Sequence, residues 1–261
     1  MEQRLEKLAQ DLARAWVDGK TVPLPQDADA VRSRAEAYQV QDRMAELIGQ
    51  PVVGWKVGAT VRAVQVFEGH DGPLPGRIFA NRLFLSPATM PVALVTGLKL
   101  ECEFAFRLTR DLDGSRGAFT AAGIADSLVF HPAIELAGTR YAPGTGNRAG
   151  RTFDGIADNG SSGAAVLGPA ITDWRKLSFE TMPIDARIDD SPAIQAYSGG
   201  YRRNPSEIMA ETLNDLRGRG ISMKAGDCVL TGSLTLPTPL RAGQTLVTRF
   251  ADLATITVKA T

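Results

Sequence analysis

The sequence predicts an α+β protein: a small helical N-terminal unit over residues 1–50, then a β-rich body of barrel or sandwich type over residues 51–261. Three observations carry that prediction. Apolar spacing of the helical kind is confined to the first fifty residues and one later segment. From about residue 52 it yields to short alternating runs separated by Gly and Pro, of which the chain has 26 and 15. The 261 residues, 44% apolar and 22% charged, suffice for one large domain or for a small one beside a main one.

The first helix is marked by Leu5, Leu8, Leu12 and Trp16 at spacings of three and four, widened by Ala9 and Ala13 and stopped by Gly19. After the break Val22-Pro23-Leu24-Pro25, a second helical pattern runs from Asp27 to Ile48. It places Val31, Ala35, Val40, Met44 and Leu47 on one side and closes at Gly49 and Pro51. Strands are expected over 52–58, 77–79, 98–108, 133–137, 164–167, 182–188, 228–231, 245–250 and 253–259. One later helix has a full start signal. Asn204 suits the cap, Pro205 the first helical position, and Glu207 the reciprocal position of a capping box. Its buried face is Ile208, Met209, Thr212, Leu213 and Leu216, with Gly218 or Gly220 as its end.

Composition excludes several functions. Lys+Arg and Asp+Glu balance at 29 each, without the basic stripe a nucleic acid requires. The longest apolar stretches fall far short of the ~20 residues that span a bilayer. Acids at Glu2, Glu6 and Asp11 argue against a signal peptide, so a soluble, cytoplasmic protein is expected. Two cysteines, Cys102 and Cys228, make neither a disulfide framework nor a cysteine-rich zinc site. With His70 and His131 as the only histidines, a three-histidine zinc site is excluded. Any metal must be held by oxygen.

The informative stretch is Leu98-Lys99-Leu100-Glu101-Cys102-Glu103-Phe104-Ala105-Phe106-Arg107-Leu108. Strand alternation sends Glu101 and Glu103 to one face, with Cα atoms about 7 Å apart. Two such charges need water, a proton or a cation between them. Either they belong to a solvated face partnered by Arg107, or they hold a hard divalent cation. In His131-Pro132-Ala133-Ile134-Glu135-Leu136-Ala137, Glu135 stands inside an apolar run where a lone carboxylate is costly to bury. It is either an exposed edge-strand acid or a third ligand.

The pattern Glu101-x-Glu103 with Glu135 thirty-two positions after Glu103 resembles the metal-binding signature of the fumarylacetoacetate hydrolase family. More narrowly, it is similar to the 2-oxopent-4-enoate hydratase and 4-oxalocrotonate decarboxylase branch. Three further blocks match in family order: Gly54-Trp55-Lys56-Val57-Gly58-Ala59-Thr60, Ile156-Ala157-Asp158-Asn159-Gly160-Ser161-Ser162-Gly163, and Gly226-Asp227-Cys228-Val229-Leu230-Thr231-Gly232-Ser233-Leu234. Together they span roughly residues 52 to 260.

That resemblance implies a body of the fumarylacetoacetate hydrolase type, with Mg²⁺ or Mn²⁺ on Glu101, Glu103 and Glu135. It implies a 2-oxo or 2-hydroxy-dienoic acid as substrate, and a homo-oligomer. Lys56 would be a cation at the site, moving a proton with a lowered pKa or pairing with the substrate carboxylate. Asp158, Asn159 and Ser161 would line the ligand, as would Ser233; read alone, both segments are also turn formers. Arg151 stands where hydrolases of the wider family have a lysine and would suit a carboxylate. Two positions depart from the hydratase pattern: Leu74 replaces an acid and Asn204 a histidine. The leading expectation is hydration of a 2-hydroxy-2,4-dienoate to a 4-hydroxy-2-oxo acid in aromatic-compound breakdown. Decarboxylation of a 2-oxo-3-enedioate comes second, acylpyruvate C–C hydrolysis third, and a non-catalytic keto-acid-binding protein last. His131 is read as packing rather than catalytic.

Overall fold

The structure, a computed structural model, describes residues 1–69, 71–143 and 151–261, so His70 lies outside the described residues. The first helix, α1 (Gln3–Asp18), buries the expected stripe and ends at Gly19, whose left-handed backbone lets its N–H return to Ala15. The second, α2 (Arg34–Ile48), starts seven residues later than the sequence suggests. Residues 27–30 are turns and a bend, and the Ser33 side chain caps the helix through the Glu36 N–H. Its buried face is Ala37, Tyr38, Val40, Gln41, Met44 and Ile48, so Val40 and Met44 of the expected side are buried while Ala35 and Leu47 are exposed.

Next come β1 (Val52–Gly58), α3 (Arg62–Glu68), β2 (Leu74–Phe79), β3 (Leu83–Leu85), β4 (Ala88–Met90) and β5 (Lys99–Leu108). Then follow α4 (Ala121–Ile124), β6 (Leu128–Ala137), α5 (Thr152–Ala157), β7 (Ala164–Leu167), β8 (Ile184–Ile188) and α6 (Pro205–Gly218). The chain ends with β9 (Cys228–Ser233), β10 (Thr238–Pro239), β11 (Thr245–Phe250) and β12 (Ala254–Ala260). The larger sheet has the order β2-β1-β9-β5-β6-β7-β3 with β10 beside β5; the smaller is β4-β12-β11-β8. No described helix is long and apolar enough to cross a membrane.

Both faces of the larger sheet are covered. Leu100, Cys102, Phe104, Phe106 and Leu108 of β5 face the main core, shared with Leu246, Phe250, Ile256 and Val258 of the smaller sheet. On its other face a second cluster joins Ile78, Ala105, Ala133, Ala165, Leu167, Cys228 and Leu230, one or two residues from each of five strands. Residues that far apart in strand order touch only if the sheet curls, and alanine at three of those positions leaves room for it. The N-terminal helices pack against Leu74, Phe79, Ile156 and Ala157, so their core continues into the body.

Strand β6 begins five residues earlier than expected and runs through Pro132. The Pro132 carbonyl accepts the Gly168 N–H just past the last β6–β7 ladder pair, so its nitrogen falls in the gap before pairing resumes between Phe130 and Ile171. In α6, Asn204 caps through the Ser206 N–H as expected. Glu207 does not close a capping box; its carboxylate instead lies 3.7 Å from the Arg203 guanidinium.

Candidate active site

Strand register assembles the three acids. Glu101 is the direct cross-strand partner of Glu135 in the antiparallel β5–β6 pair, and Glu103 lies two residues along the same face of β5. One oxygen from each carboxylate falls within 4.8 Å of the others. Glu103 and Glu135 are only 1% and 2% exposed, so a solvated strand face is excluded for them. The trio opposes the main core, which is why an acid can stand between Ile134 and Leu136 at little cost to packing.

Two neighbouring strands complete the cluster. Between Glu103 and Ala105 the β5–β9 register shifts by one residue, and the bulge aims the Gly232 N–H at Glu103 Oε2, 2.8 Å away. Gly232 has φ of +104°, and a Cβ there would stand 2.7 Å from Thr60 Oγ1, so no other residue fits. From β1, Lys56 reaches in with its ammonium 3.0 Å from Glu135 Oε1. Its register partner Gly76 keeps the wall thin: a Cβ there would meet the Asn159 carbonyl oxygen at 2.1 Å.

The electrostatics are unbalanced. Burial, then the Glu135 charge, pushes the Glu101 carboxyl up to about 7. Burial together with Glu135 and Glu101 drives Glu103 well above the carboxylate range, against the opposing pull of Lys56 and the Gly232 N–H. Burial would lower the Lys56 pKa, but the charges of Glu135, Glu101 and Glu103 outweigh it and hold the ammonium above the usual lysine value. The expected lowered pKa is therefore corrected: three anions face one cation. Ionised together, three carboxylates and one ammonium leave a charge of −3 + 1 = −2. A hard divalent cation with oxygen ligands neutralises that, so the donor set fits Mg²⁺, Mn²⁺ or Ca²⁺.

The trio opens into a cleft of two adjoining lobes. The first, of about 390 Å³, is lined by Lys56, Glu101, Glu103, Glu135, Tyr197, Tyr201, Gly232 and Ser233. The second, of about 550 Å³, is lined by Leu74, Ile156, Phe67, Arg151, Thr152, Gly160 and Ser161. Lys56, Gly58, Ala59 and Glu68 line both. Among the expected ligand-lining residues, Ser233 sits beside the trio and Ser161 in the second lobe. Asp158 and Asn159 do something else. Asp158 is fully buried, with its oxygens taken by Arg140 and Thr139. The Asn159 side chain bonds both backbone groups of Arg77, at 2.7 Å and 2.9 Å. They hold Asn159-Gly160-Ser161 in three successive left-handed conformations over the Lys56 stem, an arrangement rare outside functional sites. Arg151 lines the second lobe, yet its guanidinium is engaged by Asp154 and the Pro25 carbonyl.

Two features escaped the sequence reading. Helix α3 is too short for periodicity to reveal, and its one signal was the left-handed Gly69 that ends it. Tyr197 and Tyr201 stack at 5.8 Å beside the trio, Tyr201 at the end of a single 3-10 turn (Gly199–Tyr201), and burial followed by Glu101 raises the Tyr197 pKa. Asn204, in place of a histidine, is a helix cap. His131 is buried with Nδ1 2.9 Å from the Gly168 carbonyl oxygen, which agrees with packing.

No family model matches the chain. A 2-keto-4-pentenoate hydratase of Paraburkholderia xenovorans (strain LB400) is 31% identical over 238 residues, covering 89% of this chain and 86% of that one. The TodF product hydratase of Pseudomonas putida (strain F1) is 31% identical over 227 residues, covering 85% and 82%. A 2-hydroxyhexa-2,4-dienoate hydratase of Comamonas testosteroni is 27% identical over 248 residues, covering 93% and 92%. Among solved structures, 4-oxalocrotonate decarboxylase from Pseudomonas putida G7, complexed with magnesium and adipate, superimposes with a TM-score of 0.86 at 19% identity, over 100% of this chain and 98% of that one. That likeness establishes the fold.

Proposed function

The chain belongs to the 2-keto-4-pentenoate hydratase branch of the fumarylacetoacetate hydrolase family, and on that premise we propose a divalent-metal-dependent lyase that adds water to a 2-hydroxy-2,4-dienoate. The product is a 4-hydroxy-2-oxo acid. The observation that carries the reading is the convergence of Glu101, Glu103 and Glu135 beside a buried ammonium, in a cleft that continues into a less polar lobe.

Glu101, Glu103 and Glu135 would hold Mg²⁺ or Mn²⁺, a Lewis acid that a 2-oxo acid chelates through its carboxylate and 2-oxygen. The rest falls to the chain. Lys56, whose ammonium lies 3.0 Å from Glu135, gives a proton to C5 of the dienol and regains one from the 2-hydroxyl as the ketone forms. The double bond then lies between C3 and C4, open to water at C4. Leu74 and Ile156 exclude stray water from the tail, and the Ser161 hydroxyl offers a donor along the cleft, whereas the Ser233 hydroxyl donates to the Thr235 carbonyl oxygen at 2.7 Å. In the same reading the protein works as a cytoplasmic homo-oligomer in aromatic-compound breakdown, its copy number to be checked by light scattering.

The test is turnover of 2-hydroxypenta-2,4-dienoate with Mg²⁺ and with chelator. Loss of the dienol absorbance and appearance of 4-hydroxy-2-oxopentanoate, with no carbon dioxide, are expected only with metal. Leu74 favours a second reading, decarboxylation of a 2-oxo-3-enedioate, because an apolar residue replaces the acid of the hydratase pattern. Carbon dioxide release from 4-oxalocrotonate would select it.

Two further outcomes follow from the geometry. The unfolded chain ionises Glu101 near 4.5 whereas the metal-free fold keeps its proton to about 7, so metal-free stability is expected to fall as pH rises across that window. Protons compete with the ion, so Mg²⁺ is expected to raise the melting temperature progressively more up to about pH 7; calorimetry against pH reads both. Gly232→Ala, which disturbs the N–H that orients Glu103, is expected to weaken Mg²⁺ binding by about 10- to 100-fold in isothermal titration.

A further inference from the structure

The cleft holds a carboxyl for which the scheme above has no use. Glu68 is the last residue of α3 and lines both lobes, with Lys56, Gly58 and Ala59. Among the described residues lining the two lobes, it is the one carboxyl outside the trio. Its place is secured from both sides. The Glu68 carbonyl accepts the Thr152 hydroxyl at 2.8 Å, and one turn earlier Gln65 Nε2 donates to the Ala59 carbonyl at 2.8 Å. These bonds fasten α3 to α5 and to the end of β1, so the helix terminus is part of the cleft wall.

The opposite strand supplies no acid. Leu74, the register partner of Gly58, presents a side chain that neither gives nor takes a proton. A dienoate whose carboxylate and 2-oxygen lie at the trio runs past Lys56 with its tail toward Leu74. In that pose C4 would come to the stretch of wall that the two lobes share, of which Glu68 is part. Addition of water at C4 needs a base there, and Lys56 is already committed to the Glu135 carboxylate at 3.0 Å.

We infer that Glu68 is the general base for water addition; the inference rests on the hydratase reading. The Glu68 carboxylate takes a proton from water as the C4–O bond forms. The C3=C4 electron pair moves to C2–C3, and the carbonyl pair moves onto the 2-oxygen. When the enolate collapses, C3 takes a proton, Glu68 returns its own to the site, and the ketone reforms. Water is the only net addition.

The test uses the full-length protein with Mg²⁺ and 2-hydroxypenta-2,4-dienoate in deuterated water, followed by nuclear magnetic resonance. Deuterium at C5 reports ketonisation, and the 4-hydroxy product reports water addition. Glu68→Gln is expected to keep C5 labelling within about threefold of wild type while water addition falls by about 10²- to 10⁴-fold, with the 2-oxo-3-enoate accumulating. Glu68→Asp, which keeps the carboxylate, is expected to recover part of the loss. Water addition within threefold of wild type in Glu68→Gln would overturn the inference. So would equal loss of both steps, the mark of a structural role. A wild-type enzyme that labels C5 but adds no water would instead remove the hydratase reading, and the inference with it.

Discussion

Glu103→Gln is expected to remove turnover of the dienoate by about three orders of magnitude or more, since a Lewis-acid cation contributes several kcal/mol and each ~1.4 kcal/mol is tenfold. The same change is expected to stabilise the metal-free protein at neutral pH. Glu103 is 1% exposed and strongly resists ionisation beside Glu101 and Glu135, so an uncharged amide of similar shape relieves repulsion while still accepting from Gly232. Metal-free Glu103→Gln should therefore melt above metal-free wild type at neutral pH and lose the rise that Mg²⁺ brings. Calorimetry with and without Mg²⁺ reads both effects. A variant that both binds Mg²⁺ as wild type does and turns over normally would dismantle the metal assignment.

Lys56→Met is expected to have the opposite signature on stability. It leaves Glu135 buried without its partner, a change that costs about 3–5 kcal/mol for pairs of this kind, and the loss should be greatest without metal. Mg²⁺ binding should tighten, because a competing positive charge has gone. Turnover should still fall by about 10²- to 10⁴-fold, the usual contribution of a proton-transfer group. Titration calorimetry and a rate assay on the same sample separate the two effects. Weaker Mg²⁺ binding in Lys56→Met would mean that the ammonium organises the ligands rather than competing with the ion.

The trio was legible because strand geometry is simple. A period of two puts Glu101 and Glu103 on one face, and an acid among Ile134 and Leu136 is costly unless something receives it. What the pattern lacked was register, which pairs Glu101 with Glu135 and is set by the whole β5–β6 ladder. The glycines of the motif blocks were visible as motifs, but their reasons are contacts: Gly76 against the Asn159 carbonyl, and Gly232 at a bulge against Thr60. Asp158 and Asn159 carry the right chemistry to touch a ligand and spend it on Arg140 and Arg77, a choice made by side-chain direction in a tight turn. Glu68 was invisible for the converse reason. A seven-residue helix has too few turns to show a face, and only tertiary contacts bring its last residue to the cleft.

The most direct test of the whole account is anomalous diffraction from crystals grown with Mn²⁺. A single strong peak within coordination distance of carboxylate oxygens from Glu101, Glu103 and Glu135 is the expected result. Manganese density elsewhere on the chain, with these three side chains bound to nothing but protein and water, would contradict it.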